Sequence, residues 1–361
     1  MRRSRFAEPV TDPAATTSRY PSDALTDWLG RAFAGCGVEP RDAALAARVL
    51  VRTTARGIDT HGVSRALVYL QKLKSGELNP RPQVQFDERH GVLHCFADAG
   101  LGQVIATRAV EQGLERAAGA GVVTVMLHDI GHLAALGMFT LQAAERGMAA
   151  LLAQSTPPMM ALPGSRGAAI GNNPLAFATA VAGGPPLVFD IAASAVARGN
   201  VLAAARDGRP IPADWAIDAH GNPTTDPHAA LAGAMLPMAG HKGIGLAMMV
   251  ECLAGSLAGA RPAAVTGAAP GSAPARVGGF LLVINPDLVA GRDAYHAHLR
   301  EWIGAYRSAA GEQARYPGER AARMEVERMR DGIPLPRSVV ADLRKAGELA
   351  GTPFELRELD G

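Results

Sequence analysis

Val122-Val123-Thr124-Val125-Met126-Leu127 is a run of apolar and β-branched residues near the middle of a chain of 361 residues. Its composition and length predict a buried β-strand. The strand leads into His128-Asp129-Ile130-Gly131-His132, and an apolar helical pattern follows from Leu133 to Arg146. Because strand-like runs and helical patterns alternate on both sides of this segment, the sequence predicts the α/β fold class.

Turn and cap signals place the other elements of the chain. Further strands are predicted at Val92 to Ala97, Met148 to Ala153, Pro186 to Asp190 and Phe280 to Ile284. Further helices are predicted after Ser22, from Ala43 to Arg56, from Val63 to Lys74, from Gly102 to Ala118, from Ala192 to Ala204 and from Leu246 to Leu257. Residues 1–19 are expected to form a flexible arm, and residues 259–278 a surface loop.

Composition excludes several classes of protein. The formal net charge is only +2, so neither nucleic acid nor an acidic membrane surface is expected as a partner. No apolar run reaches the ~18 residues of a membrane span, and no apolar core follows the basic N-terminus, so we expect a cytoplasmic protein. Cys36, Cys95 and Cys252 are too far apart to indicate a disulfide framework or a CxxC metal site.

Asp59-Thr60-His61-Gly62-Val63-Ser64-Arg65 is the segment in which chemically useful side chains are densest. A histidine exchanges a proton near neutral pH, and an arginine binds a carboxylate with two hydrogen bonds. On one helix, positions i and i+4 share a face, so His61 and Arg65 are predicted to face the same small anion. The alternative is a capped helix start, with Thr60 as the N-cap and Arg65 in solvent.

Two histidines, His128 and His132, have the i, i+4 spacing of the zinc-protease motif. Their position at a strand end, with an internal glycine and no third ligand, argues against zinc, and no metal is expected. The free N–H groups from Leu133 onward are instead candidates to face an anion. An ordinary strand–helix junction is the other interpretation.

A lysine between glycines, in Gly240-His241-Lys242-Gly243, suits a phosphate at a helix N-terminus. The segment lacks the Walker A spacing, and no G-x-G-x-x-G follows a strand, so a Rossmann site is not indicated. A solvated lysine at an ordinary helix start is the alternative. Asp190, at the end of a strand, either orients a base or caps the next helix.

Seven segments in this order resemble the malate/L-lactate dehydrogenase family of non-Rossmann oxidoreductases. Its members include ureidoglycolate, sulfolactate and diketogulonate oxidoreductases and the reductases of Δ1-piperideine- and Δ1-pyrroline-2-carboxylate. The resemblance covers about residues 22–335. The segments that carry it are Thr60–Arg65, Ile130–Leu136, Gly171–Pro174, Asp190–Ser194, Asp218–Pro227, Ala239–Leu246 and Pro317–Glu319. Three positions depart from the family pattern: Thr60 replaces a serine, Asn172 a threonine and Ala239 a glycine.

The resemblance implies a mixed, largely antiparallel sheet domain that binds NAD or NADP, in residues 121–284. It also implies a helical domain from both chain ends, in residues 20–120 and 285–361, and a homodimer with the active site in the cleft between domains. His61 would exchange the proton, with Thr60 and His132 as further catalytic residues, and Arg65 and Asn173 would bind the substrate. The residues implied to line the cofactor are His132, Leu133, Ala134, Ala135, Leu136, Asp190, Ile191, Ala192, His241, Lys242, Gly318 and Glu319.

The expected reaction is hydride transfer between nicotinamide and C2 of a small 2-oxo or 2-hydroxy acid. The sequence of His132 to Leu136 resembles the cyclic imino acid reductases more than the malate enzymes, which makes a cyclic 2-imino acid the alternative substrate. A dinucleotide-binding module without turnover is an alternative of another class, and Thr60 is the feature that supports it.

Overall fold

The computed structural model describes residues 17–162, 165, 167–260, 277–311 and 313–359. Its strands are β1 Thr17–Tyr20, β2 Gln85–Arg89, β3 Val92–Phe96, β4 Val122–Ile130, β5 Ala149–Gln154, β6 Leu175–Thr179, β7 Leu187–Ile191, β8 Ala216–Ile217, β9 Ala234–Met235, β10 Val277–Ile284 and β11 Ile333–Pro336. The predicted strands of the middle region are all present.

The helices cover both ends of the chain and the connections between strands. They are α1 Ser22–Gly35, α2 Pro40–Ala55, α3 Ala66–Lys74, α4 Gly102–Ala120, α5 Gly137–Glu145, α6 Arg198–Arg206, α7 Pro227–Ala232, α8 His241–Val250, α9 Pro286–Val289, α10 Arg292–Ala310, α11 Glu319–Asp331 and α12 Arg337–Ala350. Short 3-10 helices span Asp59–His61 and Val63–Arg65, and a π-helical segment, Glu251–Ser256, extends α8. No helix in the described ranges is long and apolar enough to cross a membrane.

A seven-stranded sheet forms the centre of the fold, in the order β2-β3-β4-β10-β5-β6-β7. The pair β3–β4 is parallel, and the other neighbouring strands of this sheet are antiparallel. The predicted Val122–Leu127 strand lies within β4, between β3 and β10. The expected mixed, largely antiparallel α/β fold is therefore confirmed.

One hydrophobic core lies between this sheet and the helices α4 and α5. Fully buried members include Leu93, Val125, Leu281 and Val283 from the strands and Ile105, Val110 and Phe139 from the helices. Gly113 allows the close approach of α4 to the sheet, because a Cβ at this position would lie 2.9 Å from a methyl group of Val283. The buried strand faces explain why apolar residues dominate β4 and β10.

A second core joins the two ends of the chain. It contains residues of α1, α2, α3 and α12, and the two-stranded sheet β1–β11. Nε1 of Trp28 donates to the carbonyl of Thr352 at 3.1 Å, and the Trp28 ring meets Phe354 edge to face at 4.7 Å. The first and last described parts of the chain are therefore packed together.

The division into domains at residues 120 and 285 stays a prediction. The strands β2 and β3, from the part assigned to the helical domain, are hydrogen-bonded into the large sheet. Residues 17–19, which were assigned to the arm, belong to β1, and residues 277 and 278 of the expected loop belong to β10. The remainder of the arm and residues 261–276 of that loop lie outside the described residues.

Two predicted helices begin later than the sequence indicates. The helix expected from Leu133 begins at Gly137, because Ala134 has a left-handed backbone with φ of 68°. The helix expected from Ala192 begins at Arg198. The residues before it are irregular because they pair with other loops; for example, the Ala193 N–H donates to the carbonyl of Asn172 at 2.8 Å.

Candidate active site

The segment Asp59–Arg65 forms two 3-10 helices between α2 and α3, not one α-helix. Gly62 separates them, and its backbone packs tightly against α2: a Cβ at this position would lie 1.9 Å from Oγ1 of Thr54. The prediction that His61 and Arg65 share the face of one helix is therefore wrong. Thr60 is not an N-cap either, since the second 3-10 helix starts after Gly62 without a side-chain cap.

Hydrogen bonds within the segment nevertheless connect the three predicted functional residues. Oγ1 of Thr60 lies 2.9 Å from Nδ1 of His61, and Nε of Arg65 donates to the carbonyl of Thr60 at 2.7 Å. Asp59 is held by Arg328 of α11, whose Nη1 donates to Oδ1 at 2.6 Å. The imidazole and the guanidinium group are thus oriented by backbone and side-chain contacts.

His132 faces the same site from the loop after β4. The ring centroids of His61 and His132 are 6.0 Å apart, so the structure brings together two histidines that are 71 positions apart in sequence. Oη of Tyr69, on α3, lies 2.9 Å from Nδ1 of His132. If the hydroxyl donates, the proton of the neutral imidazole is on Nε2, the nitrogen that does not face Tyr69.

Both histidines are neutral near pH 7. Burial and then the charge of Arg65 lower the pKa of His61 to about 4. Surrounding protein, His61 and Arg65 lower the pKa of His132 to about 3, although the residue is exposed to solvent. Burial raises the pKa of Tyr69 to about 12, so its hydroxyl keeps its proton. The site therefore contains two neutral bases next to a fixed cation.

Arg65 has an unbalanced positive charge. It is half-buried, and the one hydrogen bond of its guanidinium group among the described residues goes to the Thr60 carbonyl. Burial is the main cause that lowers the pKa of Arg65, with a smaller contribution from Arg198, but an arginine stays protonated. A half-buried guanidinium group without a carboxylate partner favours an anionic ligand.

The two histidines with the zinc-protease spacing, His128 and His132, have different surroundings in the structure. Nδ1 of His128 lies 2.8 Å from the carbonyl of Ala258, and its Nε2 lies 2.9 Å from Nδ1 of His94. His132 instead contacts Tyr69. Within the described part of the chain, no group of three or more metal-ligating side chains is suitably placed to hold a metal ion.

The segment Leu133–Leu136 is buried and leads into α5. The N–H of Gly137, at the start of that helix, donates to Oδ2 of Asp190 at 2.8 Å, so Asp190 caps α5 and not the helix that follows β7. Burial raises the pKa of Asp190 to about 6, although the Gly137 N–H favours the charged form. Ile191 and Ala192 follow at the end of β7 and are half-buried.

At the start of α8, His241 and Lys242 are exposed, and the helix has no side-chain cap. Gly240 precedes them with φ of 61°, a conformation that glycine adopts readily. The side chain of Lys242 forms no hydrogen bond or ion pair with any of the residues that the structure describes, whereas the N–H groups of Lys242 and Gly243 donate to the carbonyls of Ala239 at 3.4 Å and Met238 at 2.9 Å. This helix start therefore offers an anionic group a lysine cation and the positive end of the helix dipole.

Two predicted residues have partners within the protein. Asn173 is fully buried; its Nδ2 donates to the Ala247 carbonyl at 2.8 Å, and its Oδ1 accepts from the Thr156 N–H at 2.9 Å. Glu319 accepts from Arg307 and from the N–H of Tyr316. These contacts are explained by the fold alone. The substrate role of Asn173 and the cofactor role of Gly318 and Glu319 therefore stay predictions.

Sequence reasoning missed Tyr69 and the Arg198-Gly199 pair. Tyr69 belongs to an apolar helical pattern and gave no signal beyond its hydroxyl group. Gly199 is buried against the segment Asp59–Arg65: a Cβ at this position would lie 2.8 Å from Cβ of Thr60. Its neighbour Arg198 was not recognised as a candidate site residue, because the helix predicted from Ala192 placed it in mid-helix.

The fold thus brings two neutral histidines together beside a guanidinium group that has no carboxylate partner among the described residues, an arrangement that suits a small anion. The family model described as malate/L-lactate dehydrogenase matches residues 20–344. The chain therefore belongs to the malate/L-lactate dehydrogenase family.

Individual relatives agree with this assignment. The chain is 35% identical over 316 residues to the (2R)-3-sulfolactate dehydrogenase (NADP(+)) of Chromohalobacter salexigens, which covers 87% of this chain and 93% of the relative. It is 35% identical over 345 residues to a Δ1-pyrroline-2-carboxylate/Δ1-piperideine-2-carboxylate reductase of Pseudomonas syringae pv. tomato, covering 94% and 98% of the two chains. The crystal structure of the Δ1-piperideine-2-carboxylate reductase of that organism matches with a TM-score of 0.83 and 33% identity, over 92% of this chain and all of the other.

Relatives in this family use NADP+ or NAD+. The predicted family and the prediction of an NAD(P)-dependent dehydrogenase or reductase are thus confirmed.

Proposed function

We propose that this protein transfers a hydride between nicotinamide and C2 of a small 2-oxo or 2-hydroxy acid, with His61 as the proton donor or acceptor. The observation that carries the proposal is the half-buried, unpaired guanidinium group of Arg65 next to His61. A carboxylate bound to Arg65 would hold the carbon next to it close to the imidazole, which is the arrangement that proton transfer needs.

Substrate binding to Arg65 should also change the pKa of His61. Arg65 lowers the pKa of His61 in the free protein, and a carboxylate on Arg65 offsets that charge. Binding of the substrate therefore raises the pKa of His61 towards its ordinary value. Neutral His61 suits proton removal from a 2-hydroxy acid, and the raised pKa favours the imidazolium that protonates the oxygen of a 2-oxo acid.

Thr60 and Tyr69 orient the two imidazoles. The Thr60 hydroxyl contacts Nδ1 of His61, so Nε2 is the nitrogen left for the substrate. The Tyr69 hydroxyl has the same relation to His132. We assign His61 the proton transfer and His132 the support of substrate or cofactor through its free ring nitrogen.

The nicotinamide cofactor supplies the hydride when it is bound. The residues present fit a dinucleotide, because α8 begins with an exposed lysine whose charge, together with the positive end of the helix dipole, suits a phosphate group. We propose that the cofactor is held by His132, Leu133–Leu136, Asp190–Ala192 and His241-Lys242. Gly318 and Glu319 are a further predicted contact.

A cyclic 2-imino acid is the second candidate substrate. The family relatives whose names state this activity are about as similar to this chain as the sulfolactate enzyme is. A ring nitrogen would take its proton from His61 in the same geometry. We also propose a homodimer in the cytoplasm, on the strength of the family resemblance.

A turnover panel tests the proposal: pyruvate, oxaloacetate, 3-sulfopyruvate, Δ1-piperideine-2-carboxylate and Δ1-pyrroline-2-carboxylate, each with NADH and NADPH. His61→Ala is the matched variant, and we expect it to lose ~10²–10⁴-fold in kcat while it still binds cofactor. Binding of cofactor without turnover of any acid by the wild type would favour the non-catalytic module. An active His61→Ala variant would transfer the proton role to His132.

A further inference from the structure

Arg198 is a second cation at the edge of the proposed substrate site. It is the first residue of α6, and the next residue, Gly199, is packed directly on Asp59–Arg65, the proposed proton-transfer segment. A Cβ built on Gly199 would lie 2.8 Å from Cβ of Thr60 and 3.1 Å from Nη2 of Arg65. The backbone that carries Arg198 therefore borders the proposed carboxylate-binding arginine.

The two arginines face no compensating acid in the part of the chain that the structure describes. The Arg198 guanidinium group is exposed and has no hydrogen bond or ion pair there, and the Arg65 guanidinium group donates only to the Thr60 carbonyl. Arg198 is close enough to Arg65 to contribute to lowering its pKa.

The start of α6 makes the potential here more positive. The helix α6 starts after Ala197 without a side-chain cap, so its N-terminal amides add positive potential at Arg198. One carboxylate on Arg65 would leave Arg198 and these contributions unbalanced.

We propose that Arg198 binds a second acidic group of the substrate, so that the protein prefers 2-oxo or 2-hydroxy acids with two negative charges to monocarboxylates and cyclic imino acids. This inference rests on the proposed function, and it narrows the substrate class of the same site. The second group is a carboxylate or a sulfonate, both of which accept hydrogen bonds from a guanidinium group.

The test compares kcat/KM for two dianions, oxaloacetate and 3-sulfopyruvate, with kcat/KM for 2-oxobutyrate, a monoanion of similar length. We expect Arg198→Gln to lower kcat/KM for at least one dianion about tenfold or more, the usual scale of a lost charge-assisted hydrogen bond. The value for 2-oxobutyrate should stay within about twofold. The dianion with the larger loss identifies the second group.

Arg206→Gln is the matched control, because Arg206 ends the same helix and contacts Asp207. It should leave the preference for dianions unchanged, and Arg198→Lys should retain part of it. Thermal unfolding measures whether each variant is folded. An equal loss for monoanion and dianion in folded Arg198→Gln, or no loss for either, would overturn the proposal.

Failure of the proposed function gives a different result. In that case the wild type turns over none of the acids, and the inference is then tested by binding alone. With NADH or NADPH present, malate should raise the unfolding temperature of the wild type more than 2-hydroxybutyrate does, and Arg198→Gln should abolish the difference. Equal stabilisation by the two acids in the wild type would count against a second anion site.

Discussion

Oγ1 of Thr60 lies 2.9 Å from Nδ1 of His61. Threonine replaces the usual serine of the family here, and the contact demonstrates that the hydroxyl keeps its place beside the imidazole. The added methyl group faces Gly199, since a Cβ at residue 199 would lie 3.3 Å from Cγ2 of Thr60. The absence of a side chain at Gly199 therefore leaves room for the methyl group.

Thr60→Val should lower kcat about tenfold, because it keeps the shape of the side chain but removes the hydroxyl that orients His61. Thr60→Ser restores the family residue and should stay within about threefold of the wild type. Both values come from steady-state kinetics with the best substrate of the panel. An unchanged kcat in Thr60→Val would mean that His61 is oriented without this hydrogen bond.

The pKa of His61 should rise when Arg65 loses its charge. Burial and Arg65 both lower this pKa, to about 4 in the free protein, and Arg65→Gln removes the second cause but not the first. The pKa should therefore move upward but remain below the ordinary 6.5. Nuclear magnetic resonance of ¹³C-labelled histidine measures it directly, with His61→Ala to assign the signal. A pKa that stays near 4 in Arg65→Gln would contradict this account of the shift.

The central strands were predictable because their sequence has one dominant signal. In the β-branched run at Val122–Leu127, one face is buried through Val123, Val125 and Leu127, the other face is buried only at Met126, and such a run is typical of a strand. Helix starts in alanine-rich segments were not predictable to the same degree. Alanine favours a helix at Ala134 and Ala193, but the left-handed turn at the first and the hydrogen bond to Asn172 at the second override that preference.

The candidate site was predictable only where one short segment holds the chemistry. His61 and Arg65 were found from their residue types, although the helix that was expected to align them is absent. Tyr69 and Arg198 could not be found in this way, because their importance depends on partners that the fold supplies. The Tyr69 hydroxyl meets His132 across 63 positions of sequence, and Arg198 approaches Arg65 only through the packing of Gly199.

Asp190→Asn should stabilise the protein at neutral pH. The pKa of Asp190 is raised to about 6 in the folded protein from an ordinary 3.8, so the unfolded chain loses this proton first. Stability from this group is therefore fully present below about pH 4 and is lost as the pH rises through about 6. The free energy of unfolding of the variant, relative to the wild type, should increase by about 1–3 kcal/mol across that interval.

Urea unfolding at pH 4.5 and pH 7.5 measures this difference. Asparagine keeps an oxygen that can accept from the Gly137 N–H, so the cap on α5 is retained. Asp287→Asn is the control, because a hydrogen bond from Arg292 lowers the pKa of that exposed carboxyl group and its loss should not stabilise the protein. A relative stability of Asp190→Asn that does not change with pH would refute the raised pKa.

Lys242→Met should weaken dinucleotide binding about tenfold or more if Lys242 contacts a cofactor phosphate, since a charge-assisted hydrogen bond contributes about 1.5–3 kcal/mol. The difference from the wild type should shrink as salt is added. Titration of NADH and NADPH, each followed by fluorescence, gives the Kd values. Lys345→Met, on α12, is the matched loss of one lysine. An unchanged Kd for both cofactors would remove Lys242 from the site.

Glu325, on α11, is hydrogen-bonded to Arg52 of α2 and to Arg56, the residue that follows α2. It accepts from Nε of Arg52 and from Nη1 of Arg56 at 2.5 Å each, and Arg56 is only 4% exposed. Glu325→Ala should lower the free energy of unfolding by about 3 kcal/mol, because it leaves the buried Arg56 charge without a partner. Chemical denaturation measures the change.

Glu327→Ala is the control on the same helix. Glu327 is exposed and lies 3.7 Å from Arg323, so its loss should cost no more than about 0.5 kcal/mol. Glu325→Ala should also lower kcat in the folded protein, because α11 carries Arg328, which holds Asp59 next to Thr60 and His61. Equal destabilisation by the two alanine variants would contradict the stabilising role of Glu325. An unchanged kcat in Glu325→Ala would mean that the alignment of the proton-transfer segment does not depend on the position of α11.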